Sequence, residues 1–277
     1  VTAPELPHPE LPHPELPHPE LPHPDLPHPE LPHPDRRNTA QPHAPQRVLA
    51  LAAHPDDLDF GSAGTIASLV AGGASVSYCI ATSGDAGGFD DTPRDQMGPL
   101  REAEQRAAAE VLGVADVTFL GYPDGSLTAS MALRRDFSRA IRQVRPQLVI
   151  APSPNRNLAR LPASHPDHLA AGEAAINAIY PDARNPFAHQ ELLRDEGLQA
   201  WSVPELWLSG DEVVDHVVDI TDQWDAKIRA LRSHVSQVGH RDDLGVFLRA
   251  WATQVAEAAG LPEGRLAEGF RRVLIPV

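Results

Sequence analysis

The stretch Val48-Leu49-Ala50-Leu51-Ala52-Ala53 runs without a break into His54-Pro55-Asp56-Asp57. Six apolar residues in a row do not alternate with polar ones, so both faces of the segment must be covered. That suits a central strand of a parallel sheet. The sudden change to an imidazole, a proline and two carboxylates marks a loop at the strand's carboxyl end. Downstream, strands and helices continue to alternate. Helices are predicted over 64–71, closed by Gly72-Gly73, and over 100–112, closed by Gly113. Others are expected over 132–144, stopped by Pro146, and over 168–179. Strands are predicted over 76–81, 117–120, 148–151, 205–208 and 216–220, and Thr221 is expected to cap a last helix ending near residue 234. This order predicts an α/β fold with a doubly wound, mostly parallel sheet in a single domain. Ligands in such folds bind at the carboxyl ends of the strands, so the loops there are where chemistry is to be sought.

The chain has 277 residues, 42% of them apolar, which is enough for one large α/β domain. Its formal net charge is −15, which excludes a general nucleic-acid or anionic-membrane binder, because phosphate binding needs a basic face. Cys79 is the single cysteine, so there is no intrachain disulfide and no Cys-rich zinc module. No apolar run is long enough to span a bilayer. No basic segment followed by an apolar one begins the chain, and a cytoplasmic location is expected. The oligomeric state is not written in the sequence, and a homo-oligomer is compatible with it.

Residues 5–34 are a separate matter. They are six copies of the unit Glu/Asp-Leu-Pro-His-Pro, with histidines at 8, 13, 18, 23, 28 and 33. Proline removes donors, and one leucine per unit cannot offset the ordering entropy, so residues 1–46 are expected to form a disordered, polyproline-II-biased tail ahead of a domain over 47–277. Residues 1–35 hold seven acids and no base, which leaves −8 for the remainder.

Two loops carry the chemistry. One is His54-Pro55-Asp56-Asp57, and the other is Ser164-His165-Pro166-Asp167-His168. Each offers imidazole and carboxylate within a few residues, the donor types of a catalytic zinc, which takes three protein ligands and keeps one position open. A His-x-x-Asp loop and a distant histidine supply three ligands, and Asp56 is then free to take a proton from an activated water. The plain alternative is turn chemistry, which favours Pro and Asp. Asp167, three residues after Ser164, also suits a helix N-terminal box.

With these motifs in order, the chain resembles the PIG-L/LmbE family of zinc-dependent N-acetyl-sugar deacetylases. The likeness also rests on Gly64-Thr65, Thr82-Ser83-Gly84-Asp85, Arg101 and Glu104 ahead of Leu112-Gly113-Val114, Phe119 to Gly125, and His234-Val235-Ser236-Gln237. The resemblance covers the chain from Arg47 and implies a Rossmann-like layer. It implies one Zn2+ per chain on His54, Asp57 and His168, with Fe2+ or another divalent ion tolerated by an N,O donor set. It further implies Asp56 as general base and His165 as a cationic stabiliser of the oxyanion or proton donor to the leaving amine. Asp85, Arg101 and Asp124 match the family's sugar-contacting positions. Asp167 would orient a ring, and His234 would lie near the pocket. Without the resemblance, Arg101 is the start of a solvated helix, Asp85 and Asp124 are turn residues, and His234 complements a helix dipole. Many members that act in thiol-sugar biosynthesis carry Glu directly after the Asp-Asp pair, where this chain has Leu58.

The implied activity is removal of an N-acetyl group from an N-acetylglucosamine-type sugar or its conjugate. A close variant is an amidase acting on a thiol-sugar conjugate. A reading of another class is a metal-binding or interaction protein working through the His/Pro tail.

Overall fold

The computed structural model describes residues 45–276, so the repeat and all but the last two residues of the expected tail lie outside the described residues. Among the described residues the strands are β1 (Arg47–Ala52), β2 (Ser75–Thr82), β3 (Asp116–Tyr122), β4 (Leu148–Pro152), β5 (Glu205–Ser209), β6 (His216–Asp219) and β7 (Ala267–Leu274). The α-helices are α1 (Asp57–Ala71), α2 (Arg94–Leu112), α3 (Met131–Val144), α4 (Pro166–Asn177), α5 (Gln190–Arg194), α6 (Trp224–Arg232), α7 (Val235–Val238) and α8 (Leu244–Ala258). The strands form one sheet in the order β3-β2-β1-β4-β5-β7-β6. The pairs β1–β2, β2–β3, β1–β4 and β4–β5 are parallel, and β7 pairs antiparallel with both β5 and β6.

The unbroken apolar run of β1 is explained by this placement. Leu49 and Leu51 enter the core on one face, with Cys79, Val149, Phe137, Ile141 and Ala171. Val48, Ala50 and Ala52 enter the core on the other, with Tyr78, Ile150, Ile66, Ala108 and Leu112. Helices α3 and α4 cover the first face, and α1, α2 and α6 the second. A third cluster joins Trp224 and Leu231 of α6 to Leu244, Leu248 and Ala252 of α8. Helix α4 lies very close to the strand ends: a Cβ on Gly172 would stand 2.5 Å from the Pro152 carbonyl oxygen.

The sequence-based boundaries shift at several points. Helix α1 starts at Asp57, not at residue 64, so the helix grows directly out of the His-Pro-Asp-Asp loop. Asp57 and Asp59 in its first turn complement the helix dipole. Helix α2 starts at Arg94 and runs through Pro99, the residue at which periodicity alone ends it. Thr221 does not cap α6. Its hydroxyl donates to Asp219 Oδ1 at 2.7 Å and accepts the Leu266 N–H at 2.9 Å. Helix α8 and strand β7 were not foreseen, and β7 separates β5 from β6.

The order of the strands locates the site. From β1 the chain winds outward to β2 and β3 on one side, while β4 flanks β1 on the other. The loops leaving β1 and β4 therefore diverge to opposite faces of the sheet and leave a crevice between their carboxyl ends. Those two loops carry the two His-Pro-Asp motifs.

Candidate active site

The β1 loop is built around an unusual backbone. Asp56 has φ 85° and ψ −26°, the left-handed region that costs a non-glycine residue on the order of 1 kcal/mol or more and is found disproportionately at active sites. Its carbonyl accepts the N–H groups of Asp59 at 2.9 Å and Phe60 at 3.0 Å, and its own N–H donates to Gln105 Oε1 at 2.8 Å. Asp57 then folds back on the loop. Its Oδ2 accepts the backbone N–H groups of His54 at 2.8 Å and Ala53 at 3.1 Å. Its other oxygen, Oδ1, lies 2.9 Å from His168 Nε2, across the crevice.

The β4 loop enters α4 through His165. The helix N-terminal box that Ser164 and Asp167 also suited, as the plain alternative, does not form. His165 is the cap, its Nδ1 accepting the Asp167 N–H at 3.2 Å, while Ser164 exchanges hydrogen bonds with Asn157. Because Nδ1 is an acceptor, the neutral His165 ring carries its proton on Nε2. Asp167 is freed to brace the neighbouring loop. It accepts the N–H groups of Gly125 at 2.8 Å and Leu127 at 3.1 Å, and its Oδ2 lies 3.3 Å from His54 Nε2. The His54, His165 and His168 rings are mutual neighbours, with centroids 5.0–5.2 Å apart.

The residues expected to contact sugar have other partners. Asp124 is buried, its Oδ1 lying 3.0 Å from His54 Nε2 and its Oδ2 accepting the Ala86 N–H at 2.9 Å. Arg101 is also buried. It donates to the carbonyls of Gly84 at 2.9 Å and Pro55 at 2.7 Å and to Asp56 Oδ2 at 3.1 Å. The room for that guanidinium comes from Gly84, where an added Cβ would fall 2.4 Å from Arg101 NH1. Asp85 pairs with Arg94 at the surface, and that guanidinium holds its carboxyl below the usual range. His234 does not reach the crevice. It is fully buried, with Nε2 2.9 Å from Asp59 Oδ2.

The charges at the centre ask for a cation. Burial disfavours ionisation of Asp57, yet the His168 and His54 rings hold its carboxyl well below the usual carboxylate range. Burial likewise opposes charge on His54, but Asp57 and Asp124 carry its pKa up to about 11. Burial lifts Asp56 above the usual carboxylate range despite Arg101, and the adjacent Asp57 adds to the rise. His165 goes the other way. Burial and the His54 and His168 rings push it below the ordinary histidine value, so the cationic form expected from the sequence is not favoured. Two sets of donors come within 4.8 Å of one another and could hold a metal ion: His54, His165 and His168, and His54, Asp124 and Asp167. Asp57 bridges the first set, lying 3.5 Å from His54 Nδ1 and 2.9 Å from His168 Nε2. The carboxylates that hold a proton on His54 create a negative surround that a cation would satisfy, and neutral imidazole nitrogens with ionised carboxylates are a fitting donor set for a divalent ion.

Sequence reasoning missed Gln105 and Asp59. The signal was available for the first, since Gln105 lies four residues after Arg101 and so on the same face of α2.

Residues 49–179 match the family model described as PIG-L: GlcNAc-PI de-N-acetylase. A diacetylchitobiose deacetylase of Thermococcus kodakarensis is 31% identical over 231 residues, covering 82% of this chain and 83% of the relative. The chain belongs to the PIG-L family. A further relative of this hydrolase family is the 1D-myo-inositol 2-acetamido-2-deoxy-alpha-D-glucopyranoside deacetylase of Rhodococcus erythropolis, 32% identical over 70% of this chain and 81% of the relative. Among solved structures, an N,N'-diacetylchitobiose deacetylase from Pyrococcus horikoshii superposes with a TM-score of 0.75 at 32% identity, covering 83% of this chain and 84% of that one. The PIG-L match spans both His-Pro-Asp loops. At the place after the Asp-Asp pair, Leu58 lies in the first turn of α1 and is buried in the core. No helix among the described residues is long and apolar enough to cross a membrane.

Proposed function

We propose that this PIG-L protein is a zinc-dependent hydrolase that removes the acetyl group from an N-acetylglucosamine-type sugar or its conjugate. The observation that carries the reading is the contact between the two motif loops, in which Asp57 stands between His54 and His168 while Asp56 lies beside them. His54, Asp57 and His168 hold one divalent ion. The N,O donor set suits zinc and tolerates Fe2+. When bound, the ion supplies Lewis acidity, polarising the acetyl carbonyl and acidifying water.

The protein's own groups do the rest. Asp56 accepts a proton from the attacking water and later delivers it to the departing nitrogen. The His165 Nε2–H donates to the oxygen that becomes negative in the tetrahedral state, and a neutral donor suffices for this. Overall the amide C–N bond breaks, a C–O bond to the water oxygen forms, and the free amine and acetate leave.

Asp124 and Asp167, both facing His54 Nε2, orient that ring and fix which nitrogen carries its proton. Arg101 holds the Asp56 loop instead of meeting substrate. The decisive experiment is an amine-release screen with metal-loaded protein on N-acetylglucosamine, N,N'-diacetylchitobiose and a glucosaminyl-inositol amide. Release of free amine and acetate in equal amounts is expected from at least one. A protein carrying one bound ion that releases amine from none of them would overturn the reading.

A further inference from the structure

Helix α2 grips the Asp56 turn with two side chains one helical turn apart. Arg101 holds the Pro55 carbonyl and the Asp56 carboxylate, at 2.7 and 3.1 Å. Gln105 reaches deeper and takes the Asp56 backbone. Its Oε1 accepts the Asp56 N–H at 2.8 Å, while its Nε2 donates to Asp59 Oδ2 at 2.7 Å. That same carboxylate oxygen faces His234 Nε2 at 2.9 Å. Gln105, Asp59 and His234 are each 0% exposed, so water does not compete for these bonds.

The order of the contacts matters. An amide can present either its oxygen or its nitrogen to a neighbour. A carboxylate accepts only, so Asp59 obliges Gln105 to turn Nε2 toward it and leaves Oε1 for the Asp56 N–H. His234 in turn fixes Asp59. The carbonyl side of Asp56 is already tied into the first turn of α1 by the Asp59 and Phe60 N–H groups. The Gln105 bond closes the other side, so the left-handed backbone at Asp56 is held at both of its peptide groups.

We propose that Gln105 is a positioning residue for Asp56: its amide oxygen locks the left-handed turn that aims the Asp56 carboxylate, and the buried Asp59–His234 pair sets the amide in the sense that allows it. The proposal rests on the reading of Asp56 as the base. It gives a function to Asp59, in the first turn of α1 just after the motif loop, and to His234, which is buried and does not reach the crevice.

The test uses Gln105→Met, which keeps length and helix propensity and removes both hydrogen bonds, with Gln105→Leu in its place should the Met variant not fold. Substrate-free protein is examined first by amide hydrogen exchange. The Asp56 N–H is expected to exchange at least tenfold faster in the variant, with bound metal held at one ion per chain. With N,N'-diacetylchitobiose as the probe, kcat is expected to fall roughly 10- to 100-fold while KM changes less than about twofold, as for a reacting group displaced by a fraction of an ångström to an ångström. Ala109→Gly, on the same helix and away from the loop, is expected to lower the melting temperature and leave kcat intact, which separates aim from stability. Unchanged Asp56 exchange overturns the proposal whatever the activity. So does a wild-type kcat in Gln105→Met alongside an inactive Asp56→Asn, and that outcome leaves the role of Asp56 standing. An active Asp56→Asn, or a metal-loaded wild-type protein that releases amine from none of the three amides of the screen above, overturns the underlying reading instead.

Discussion

His168 Nε2 lies 2.9 Å from Asp57 Oδ1, and this contact joins two loops that leave the sheet toward opposite faces. The residues are 111 positions apart in the chain. Neither loop alone offers three ligands in the proposed arrangement, and the crevice between β1 and β4 assembles them.

His168→Ala is expected to lose the bound ion. Elemental analysis of full-length wild-type and variant protein under identical washing should differ by one equivalent per chain. The tail histidines are present in both, so they cancel in the difference. Near-ultraviolet circular dichroism should be preserved, because His168 lies at the edge of the crevice and not in any of the three core clusters. An equal metal content in the two proteins would remove His168 from the ligand set.

Asp56→Asn is expected to retain the ion and the fold and to lose activity by about 10²-fold or more, the scale of a lost general base. The substitution is nearly isosteric, and its backbone still donates to Gln105 and accepts from α1. Asparagine also tolerates the left-handed region. The measurement is kcat/KM with metal content determined on the same sample. Near-normal turnover would move the base to another residue.

Asp124→Asn separates two roles. If Asp124 orients His54, the ion should bind about 10- to 100-fold more weakly, as is usual when a ligand's hydrogen-bond partner is altered. Competition against a chromophoric chelator reads this directly. A raised KM with unchanged metal affinity would return Asp124 to the sugar-contacting role that the family resemblance implies.

Lys227→Met is expected to destabilise the domain by about 3–5 kcal/mol, because it leaves the Glu268 carboxylate buried without its cation. Lys227 Nζ donates to Glu268 Oε1 at 2.7 Å and to the carbonyls of Asp59 and Phe60 at 3.0 and 2.7 Å. Glu268 in turn accepts the N–H groups of Gly64 and Thr65. The pair thus staples β7 and α6 to α1. Urea unfolding monitored by tryptophan fluorescence gives the change. A loss below about 1 kcal/mol would show that the pair contributes no more than a surface one.

Chelation and reloading complete the set. Removing the ion should abolish activity and lower the melting temperature, since a ligand bound only by the folded state stabilises it by mass action. Reloading one equivalent should restore both. A melting temperature indifferent to chelator would show that no ion contributes to the folded state.

The sequence by itself determined the sheet and the address of the site. The unbroken run from Val48 to Ala53 required cover on both faces, and the abrupt polar turn after it marked a strand's carboxyl end. The second His-Pro-Asp loop repeated that signal. These are local patterns, set by burial and by residues that favour turns, and they can be read along the chain. Who touches whom was decided only by the tertiary structure. Asp85 and Asp124 sit in polar loops and Arg101 lies within α2, and nothing local reveals that Arg101 closes on Asp56 or that Asp124 faces His54. His234 looks like a helix end and is instead the buried partner of Asp59, 175 residues away. Strand β7 was illegible because its value lies in pairing, between two strands placed there by the rest of the chain. Long-range hydrogen bonds of this kind leave no periodic trace, since the partner is fixed by how the layers pack and not by the spacing of neighbours in sequence.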